Sequence, residues 1–394
     1  MNFLSEEKKA KLSEVLFYVA LSIELGIMLL EKTVIPLHDC QSYVYRVTFA
    51  ITLIVVLLLK HDKKEWIVIG AVCIFTFVSY RISGKNDLLR YAVFMMAARD
   101  IDLKKVMKYI LFVSAAGYFL IMQLAIFGVM GDVVPIAHDY GRGAIEARLE
   151  FGFGHANTFY GSIYSLVLLW IWIYGETAPL WQWIAVFILN LDICGKGIAA
   201  TKTGMVITIV TFGAGFLAKF NAKIRESKIV YVLTAFITPV FCIAFSVWAA
   251  VVSRVPNYEF EHKHYKIIKA FDSALTGRIQ NLYRETERHA GAYETWKLFS
   301  DGLSDETFDM GWVRLFYWYG KIPGIVIAAL IVLIIYICYK KKDVWTLIII
   351  LSLSLYTMAE ATFVSEYIGR LFILPVIGAY LGEFVVKKRI GENV

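Results

Sequence analysis

Apolar residues along this chain come in blocks of about twenty separated by short polar stretches, a spacing that predicts helices crossing a lipid bilayer. Twelve such blocks are expected, at about residues 15–35, 44–60, 66–81, 86–98, 106–128, 155–174, 180–194, 203–219, 229–252, 315–339, 343–363 and 366–386. The fourth and seventh are short, so they are expected to be tilted, re-entrant or broken. A membrane barrel would instead alternate in strands of about ten residues, and the fold expected is an all-α polytopic membrane protein. Two connections are long, Val129 to Gly154 and Ser253 to Arg314, and loops of that length inside a compact fold are usually functional or disordered. The chain thus divides into a nine-span bundle (1–252) carrying the outer loop 129–154, a large outer loop (253–314), and three final spans with a tail (315–394).

Composition agrees with the pattern. The chain is 59% hydrophobic and 19% charged, with mean hydropathy +0.62, far outside the soluble range. Five scattered cysteines, Cys40, Cys73, Cys194, Cys242 and Cys338, make neither a disulfide framework nor a metal-ligand spacing. The charged start, Met1 to Glu14, leads into a block long enough to stay in the membrane, so no cleavable leader is expected.

Charge changes the picture more. A net charge of +7 invites a nucleic-acid reading, but in a membrane protein basic residues first report topology, and no nucleic-acid partner is expected. Basic clusters at Lys8–Lys11, Lys60–Lys64, Lys104–Lys108, Lys219–Lys228, Lys340–Lys342 and Lys387–Arg389 fall at every second boundary, which puts both termini in the cytoplasm. Only Gly175 to Pro179 lacks such a marker. With Arg99 counted inside, twenty of the forty Lys and Arg lie on each face, but the inner set is 17 Lys and 3 Arg, the outer 9 Lys and 11 Arg. Topogenic charge needs no particular head group, whereas a guanidinium fork suits phosphate or carboxylate. The outer face is expected to hold an anion.

The densest chemistry is Arg148-Leu-Glu150-Phe-Gly-Phe-Gly-His155-Ala-Asn157, where the sixth block begins. Arg148 suits an anionic group, and His155 belongs to the side-chain type that titrates nearest neutrality. The plainer alternative is a polar helix start capped by Asn157 and the glycines. In the large loop, Ile267, Ile268, Phe271, Ala274, Leu275, Ile279 and Leu282 form an apolar stripe at helical spacing, interrupted at Thr276-Gly277 just before Arg278. Arg278 reads either as an anion ligand or as a headgroup contact. Arg314 and Arg370 stand in apolar or aromatic surroundings, where snorkelling is the alternative. Glu360, inside the eleventh block, needs a partner, and Arg370, Arg314 and Lys202 are the candidates. Lys196 and Lys202 flank a glycine-rich hairpin that is either an anion nest or a tight turn. His38-Asp39 and the run Asp301, Asp305, Glu306, Asp309 match no metal pattern, and no metal or cofactor is expected.

These residues carry a resemblance. Phe151-Gly-Phe-Gly-His155-Ala-Asn157 behind an arginine, Thr276-Gly-Arg278 in a large outer loop, and Asp309…Trp312-Val-Arg314-Leu-Phe-Tyr317…Gly320 resemble the Wzy-type polysaccharide polymerases of exopolysaccharide and capsule systems, relatives of the O-antigen ligases. Two departures stand out: His155-Ala156-Asn157 where the family often has His-Pro-Asn, and Thr201-Lys202-Thr203-Gly204 where it often has Ser-Arg-Thr-Gly. The second keeps the charge and loses the fork.

The resemblance implies a GT-C-type glycosyltransferase of the cytoplasmic membrane, working at its outer face without a nucleotide sugar. It would move a growing glycan from undecaprenyl diphosphate to a hydroxyl of the next lipid-linked repeat unit, alongside the flippase and chain-length regulator of the same pathway. Arg148, Arg278, Arg314, Lys202 and Arg370 would hold the diphosphate, His155, Glu150 and Asn157 would serve the acceptor, and Glu360 and Tyr317 would support them. The competing readings are a lipid-linked oligosaccharide flippase, against which stands the lack of an internal repeat, and a ligase using another acceptor.

Overall fold

The computed structural model describes residues 5–35, 37, 40–134, 138–139, 145–195, 198–284, 289–362 and 370–390, with backbone alone for 138–139, 145–146 and 386–390. The helices run α1 Glu6–Glu31, α2 Cys40–Leu58, α3 Lys63–Ser83, α4 Asp87–Ala97, α5 Leu103–Ile126, α6 Ala156–Tyr174, α7 Leu180–Cys194, α8 Lys202–Phe220, α9 Ala222–Glu226, α10 Lys228–Ala235 and α11 Cys242–Val251. After them come α12 Val255–Tyr258, α13 Tyr265–Ala274, α14 Arg278–Arg284, α15 Gly311–Tyr319, α16 Lys321–Lys341, α17 Val344–Thr357 and α18 Arg370–Ile390. A two-residue ladder pairs β1, His138–Asp139, with β2, Ile145–Glu146. A π-helical stretch, Phe236–Phe241, joins α10 to α11 around Pro239, which has no N–H to give the regular ladder.

A helix lies within each of the twelve predicted blocks, and among the described residues eight helices are long and apolar enough to cross a membrane. α4, α7 and α17 are shorter, at 11, 15 and 14 residues. Two predicted blocks differ in outline. The tenth is broken at Gly320 into α15 and α16, because Gly320 has φ +100 and its Cα lies against the backbone of Leu298 to Ser300. The eleventh stops at Thr357, so Glu360 sits in the connection beyond α17 rather than within a span.

The basic clusters gather at one end of the bundle. Arg99 donates to the Lys60 carbonyl at 2.9 Å, its side chain packs against Gly382, Lys341 pairs with Glu383, Lys342 reaches the Glu226 carbonyl, and Arg225 pairs with Glu176 at 2.7 Å. Lys219 adds bonds to the carbonyls of Gly175 and Glu176. The unmarked connection Gly175 to Pro179 therefore borrows its cations from its neighbours. The described parts of both long connections lie at the opposite end, where the Ser304 carbonyl accepts from Lys85 beyond α3 and Gly154 approaches Val34 beyond α1.

α6 is the most enclosed of the eight candidate spans, and hydroxyls stitch it to its neighbours. Tyr160 meets Thr208 at 2.7 Å and the Gly204 carbonyl at 2.9 Å, Tyr164 meets Thr211 at 2.6 Å, and Thr211 donates to Ser352 of α17 at 2.8 Å. In lipid, where apolar burial gives little attraction between helices, such bonds and close backbone contact hold a bundle together. The close contact is sharpest at Gly378 of α18, where a Cβ would come within 2.1 Å of the Met95 carbonyl of α4. Gly378→Leu should lower the melting temperature in detergent by an amount equivalent to about 1–3 kcal/mol, and an unchanged melting curve would show that the helices do not meet there.

Candidate functional site

The site begins with how Arg278 is held. Thr276 takes a left-handed conformation (φ +59) and the Gly277 N–H returns to the Asp272 carbonyl at 2.8 Å, closing α13. The buried Asp272 carboxylate then accepts the Gln280 N–H at 3.0 Å, which fixes the first turn of α14 and makes Arg278 its first residue. From there the guanidinium reaches three oxygens, two by hydrogen bond and that of Asp309 as an ion pair. Nη1 donates to the Leu275 carbonyl at 3.2 Å, Nε lies 3.3 Å from Asp309 Oδ2, and Nη2 bonds Glu360 Oε1.

Glu360 is held as firmly. Its N–H bonds the Tyr356 carbonyl at 2.9 Å as the chain leaves α17, and its carbonyl accepts the Gly311 N–H at 3.3 Å. Met310 is left-handed (φ +67), and Gly311 packs so tightly that a Cβ would come within 2.8 Å of the Glu360 oxygen. Only glycine lets the start of α15 lie on the connection 358–362 in this way. Glu360 Oε1 also accepts from Asn157 Nδ2 of α6 at 3.3 Å. The expected partners Arg370, Arg314 and Lys202 are thus corrected: Glu360 pairs with Arg278, which lies 82 positions away in the chain and carries no local signal of the contact.

Arg278 and Arg314 border one cavity of about 290 Å³, with Asn281, Thr307, Phe308 and Asp309 on its wall. The Arg314 guanidinium stacks over Trp318 at 3.9 Å, an arrangement that keeps its charge while burying its flat face. The cavity therefore offers two guanidinium groups, one carboxylate, an amide and a hydroxyl. Glu360 lies out of water behind Arg278, and burial pushes its carboxyl up to about 8, with Arg278 opposing the shift and Asp309 adding to it.

The other predicted residues fall elsewhere. Arg148 and Glu150 are buried in the loop before α6, where the Leu149 N–H bonds the Ile198 carbonyl and the Glu150 N–H bonds the Val133 carbonyl, each at 2.9 Å. His155 is exposed and is itself the cap of α6, its Nδ1 accepting the Asn157 N–H at 3.0 Å, so the capping role expected of Asn157 belongs to His155. Lys202 is exposed at the head of α8. Tyr317 is buried, its ring 5.8 Å from that of Phe308, and its carbonyl accepts Ser300 Oγ at 2.8 Å. Arg370 stacks on Tyr91 and borders a second cavity, of about 20 Å³, with Arg90, Glu24 and Thr48. Arg142, Lys196, His38, Asp39, Glu285 and Arg288 lie outside the described residues.

Two contacts escaped the sequence reading. Asp309 was taken with the acidic run of its loop, yet it shares Arg278 with Glu360. Arg90 pairs with Glu24 at 3.6 Å and stacks over Tyr45. Here a signal existed: Glu24 stands inside the apolar first block, where an acid needs a partner. Among the described residues no group of three His, Cys, Asp or Glu is suited to hold a metal ion. Comparison with protein-family models, curated proteins and solved structures returns no match to this chain.

The raised Glu360 carboxyl has a measurable consequence. The folded protein binds an extra proton between about pH 4.5, the ordinary glutamate value, and about pH 8, so this group favours folding fully below that window and loses its advantage as pH rises through it. Melting curves of the wild type and Glu360→Gln in one detergent should show the wild type losing ground to the variant from about pH 5 to about pH 8; a gap that stays constant or moves the other way would contradict the assignment.

Proposed function

We propose that this chain is a polysaccharide polymerase, a GT-C-type glycosyltransferase with twelve membrane crossings in the cytoplasmic membrane and both termini in the cytoplasm. Its substrates are undecaprenyl-diphosphate-linked oligosaccharides, with the flippase and chain-length regulator of the same pathway as its neighbours. The observation that carries this reading is that Arg278 and Arg314, from separate elements, border one cavity at the end of the bundle away from the lysine clusters. Lysine-rich ends face the cytoplasm, so that cavity belongs to the outer face, where a lipid diphosphate carrying a translocated glycan is available.

The chemistry supports the same reading. Breaking the bond between a sugar and a diphosphate puts new negative charge on the leaving oxygen, and preorganised guanidinium groups stabilise it without the reorganisation that water would require. Glu360 anchors Arg278 from behind, which lets the guanidinium meet the phosphate already oriented. Trp318 does the same for Arg314 by stacking. Asn157 then belongs to the support of Arg278, and Arg148, Glu150 and His155 lie off the cavity wall.

Arg314→Ala should reach the membrane at normal levels and Arg278→Ala, which leaves Glu360 without its cation, at reduced levels; in both, glycan length should fall to single repeats, with turnover per molecule of protein reduced about 10²–10³-fold. Arg278→Lys, which keeps the charge and loses the fork, should fall between. Gel analysis of cell-surface glycan in a strain carrying each variant reads the outcome, and normal long polymer from both alanine variants would overturn the proposal.

A further inference from the structure

The geometry points to Asp309 as the catalytic base, the group that takes the proton of the attacking sugar hydroxyl; this inference rests on the cavity being the polymerising site. A cavity that only held a diphosphate would need cations alone. This one also presents a carboxylate, and Asp309 is the only carboxylate on its wall among the described residues. Its side chain is 53% exposed, in contrast to Glu360, which is 4% exposed behind Arg278 and already bonds both Arg278 and Asn157.

The other groups that sequence put forward for this step are turned to different tasks. His155 spends Nδ1 on the cap of α6, Glu150 is buried in the loop before it, and neither borders the cavity. Asp309 is fixed in place from two sides. The left-handed turn at Met310 and the seating of Gly311 on the connection 358–362 hold its backbone, and Arg278 Nε, 3.3 Å away, holds its carboxylate. One guanidinium thereby sets the spacing between the base and the leaving phosphate, and such positioning is a large part of what a two-substrate site contributes. The charged groups facing Asp309 are Arg278 and Arg314, with Glu360 behind Arg278.

The step balances as follows. The acceptor oxygen bonds to the anomeric carbon as the bond from that carbon to the diphosphate oxygen breaks. The electron pair stays on phosphate beside Arg278 and Arg314, and the hydroxyl proton passes to Asp309, which releases it to water.

The test is turnover of lipid-linked repeat units in proteoliposomes containing the full chain, wild type, Asp309→Asn or Asp309→Glu, with the thermal shift given by undecaprenyl diphosphate measured alongside. Removing a general base should slow Asp309→Asn about 10²–10⁴-fold while its thermal shift stays that of the wild type. The wild-type rate should rise with pH along an acid limb that the Asn variant lacks, and Asp309→Glu should recover part of the rate. An Asn variant within about threefold of wild type, or one that keeps the acid limb, or one that loses the thermal shift together with turnover, would overturn the inference. A wild type that binds undecaprenyl diphosphate and joins no units would overturn the polymerase reading and this step with it, whereas a wild type that polymerises beside an unimpaired Asn variant would overturn this step alone.

Discussion

The Arg278 guanidinium, shared between Glu360 and Asp309, is the interaction on which the site depends. Glu360 is almost completely buried, and a carboxylate in such a position is tolerated only with a cation or a proton at hand. Arg278 supplies the cation from the start of α14, and in doing so it clamps that helix to the connection after α17 and, through Asn157, to the head of α6. Removing one partner of a buried pair leaves the other charge uncompensated, typically at about 3–5 kcal/mol. α14 is thus held to the bundle by this pair together with the apolar contacts of Ile279 and Leu282.

Everything around that pair is arranged so that it can exist. Gly311 lets two backbones touch where a side chain would separate Asp309 from Glu360. The break at Gly320 turns what would be one long helix into a short buried piece, α15, and a long apolar piece, α16, and it is α15 that carries Arg314, stacked on Trp318, to the cavity. Deeper in the bundle the hydroxyls of Tyr160, Tyr164, Thr208, Thr211 and Ser352 bind α6, α8 and α17, which fixes the positions of Asn157 at one helix end and of the Glu360 connection at another. The two ends of the molecule differ in kind. One is sewn together by lysine and arginine contacts to carbonyls and surface carboxylates, and the other buries Arg90, Arg148, Arg278 and Arg370.

The helical bundle was legible in the chain because hydropathy at this length scale has few alternatives: a helix lies within each predicted block, and eight helices among the described residues are long and apolar enough to cross a membrane. Arg278 and Arg314 were legible too, one from the Thr276-Gly277 break and one from its aromatic setting. What was not legible was pairing. Glu360 signalled that it needed a cation, but nothing local to residue 360 distinguishes Arg278 from Arg314, Arg370 or Lys202, since the choice is made by the left-handed turn at Met310 and the packing of Gly311. Arg148 to Asn157 is dispersed by the fold. Four chemistries lie close along the chain there, yet the fold buries Arg148 and Glu150 in their own loop, gives His155 a cap, and sends only Asn157 to the shared carboxylate. Proximity in sequence is a poor guide where each residue of a loop faces a different neighbour.

The central claim is that Arg278 and Arg314 together receive a lipid diphosphate. The most direct measurement is an electron cryomicroscopy map of the protein in a lipid nanodisc containing undecaprenyl diphosphate. The account predicts phosphate density in the cavity within hydrogen-bonding reach of both guanidinium groups, with Asp309 beside it; an ordered diphosphate bound elsewhere, with the Arg278–Arg314 cavity filled only by water, would contradict it.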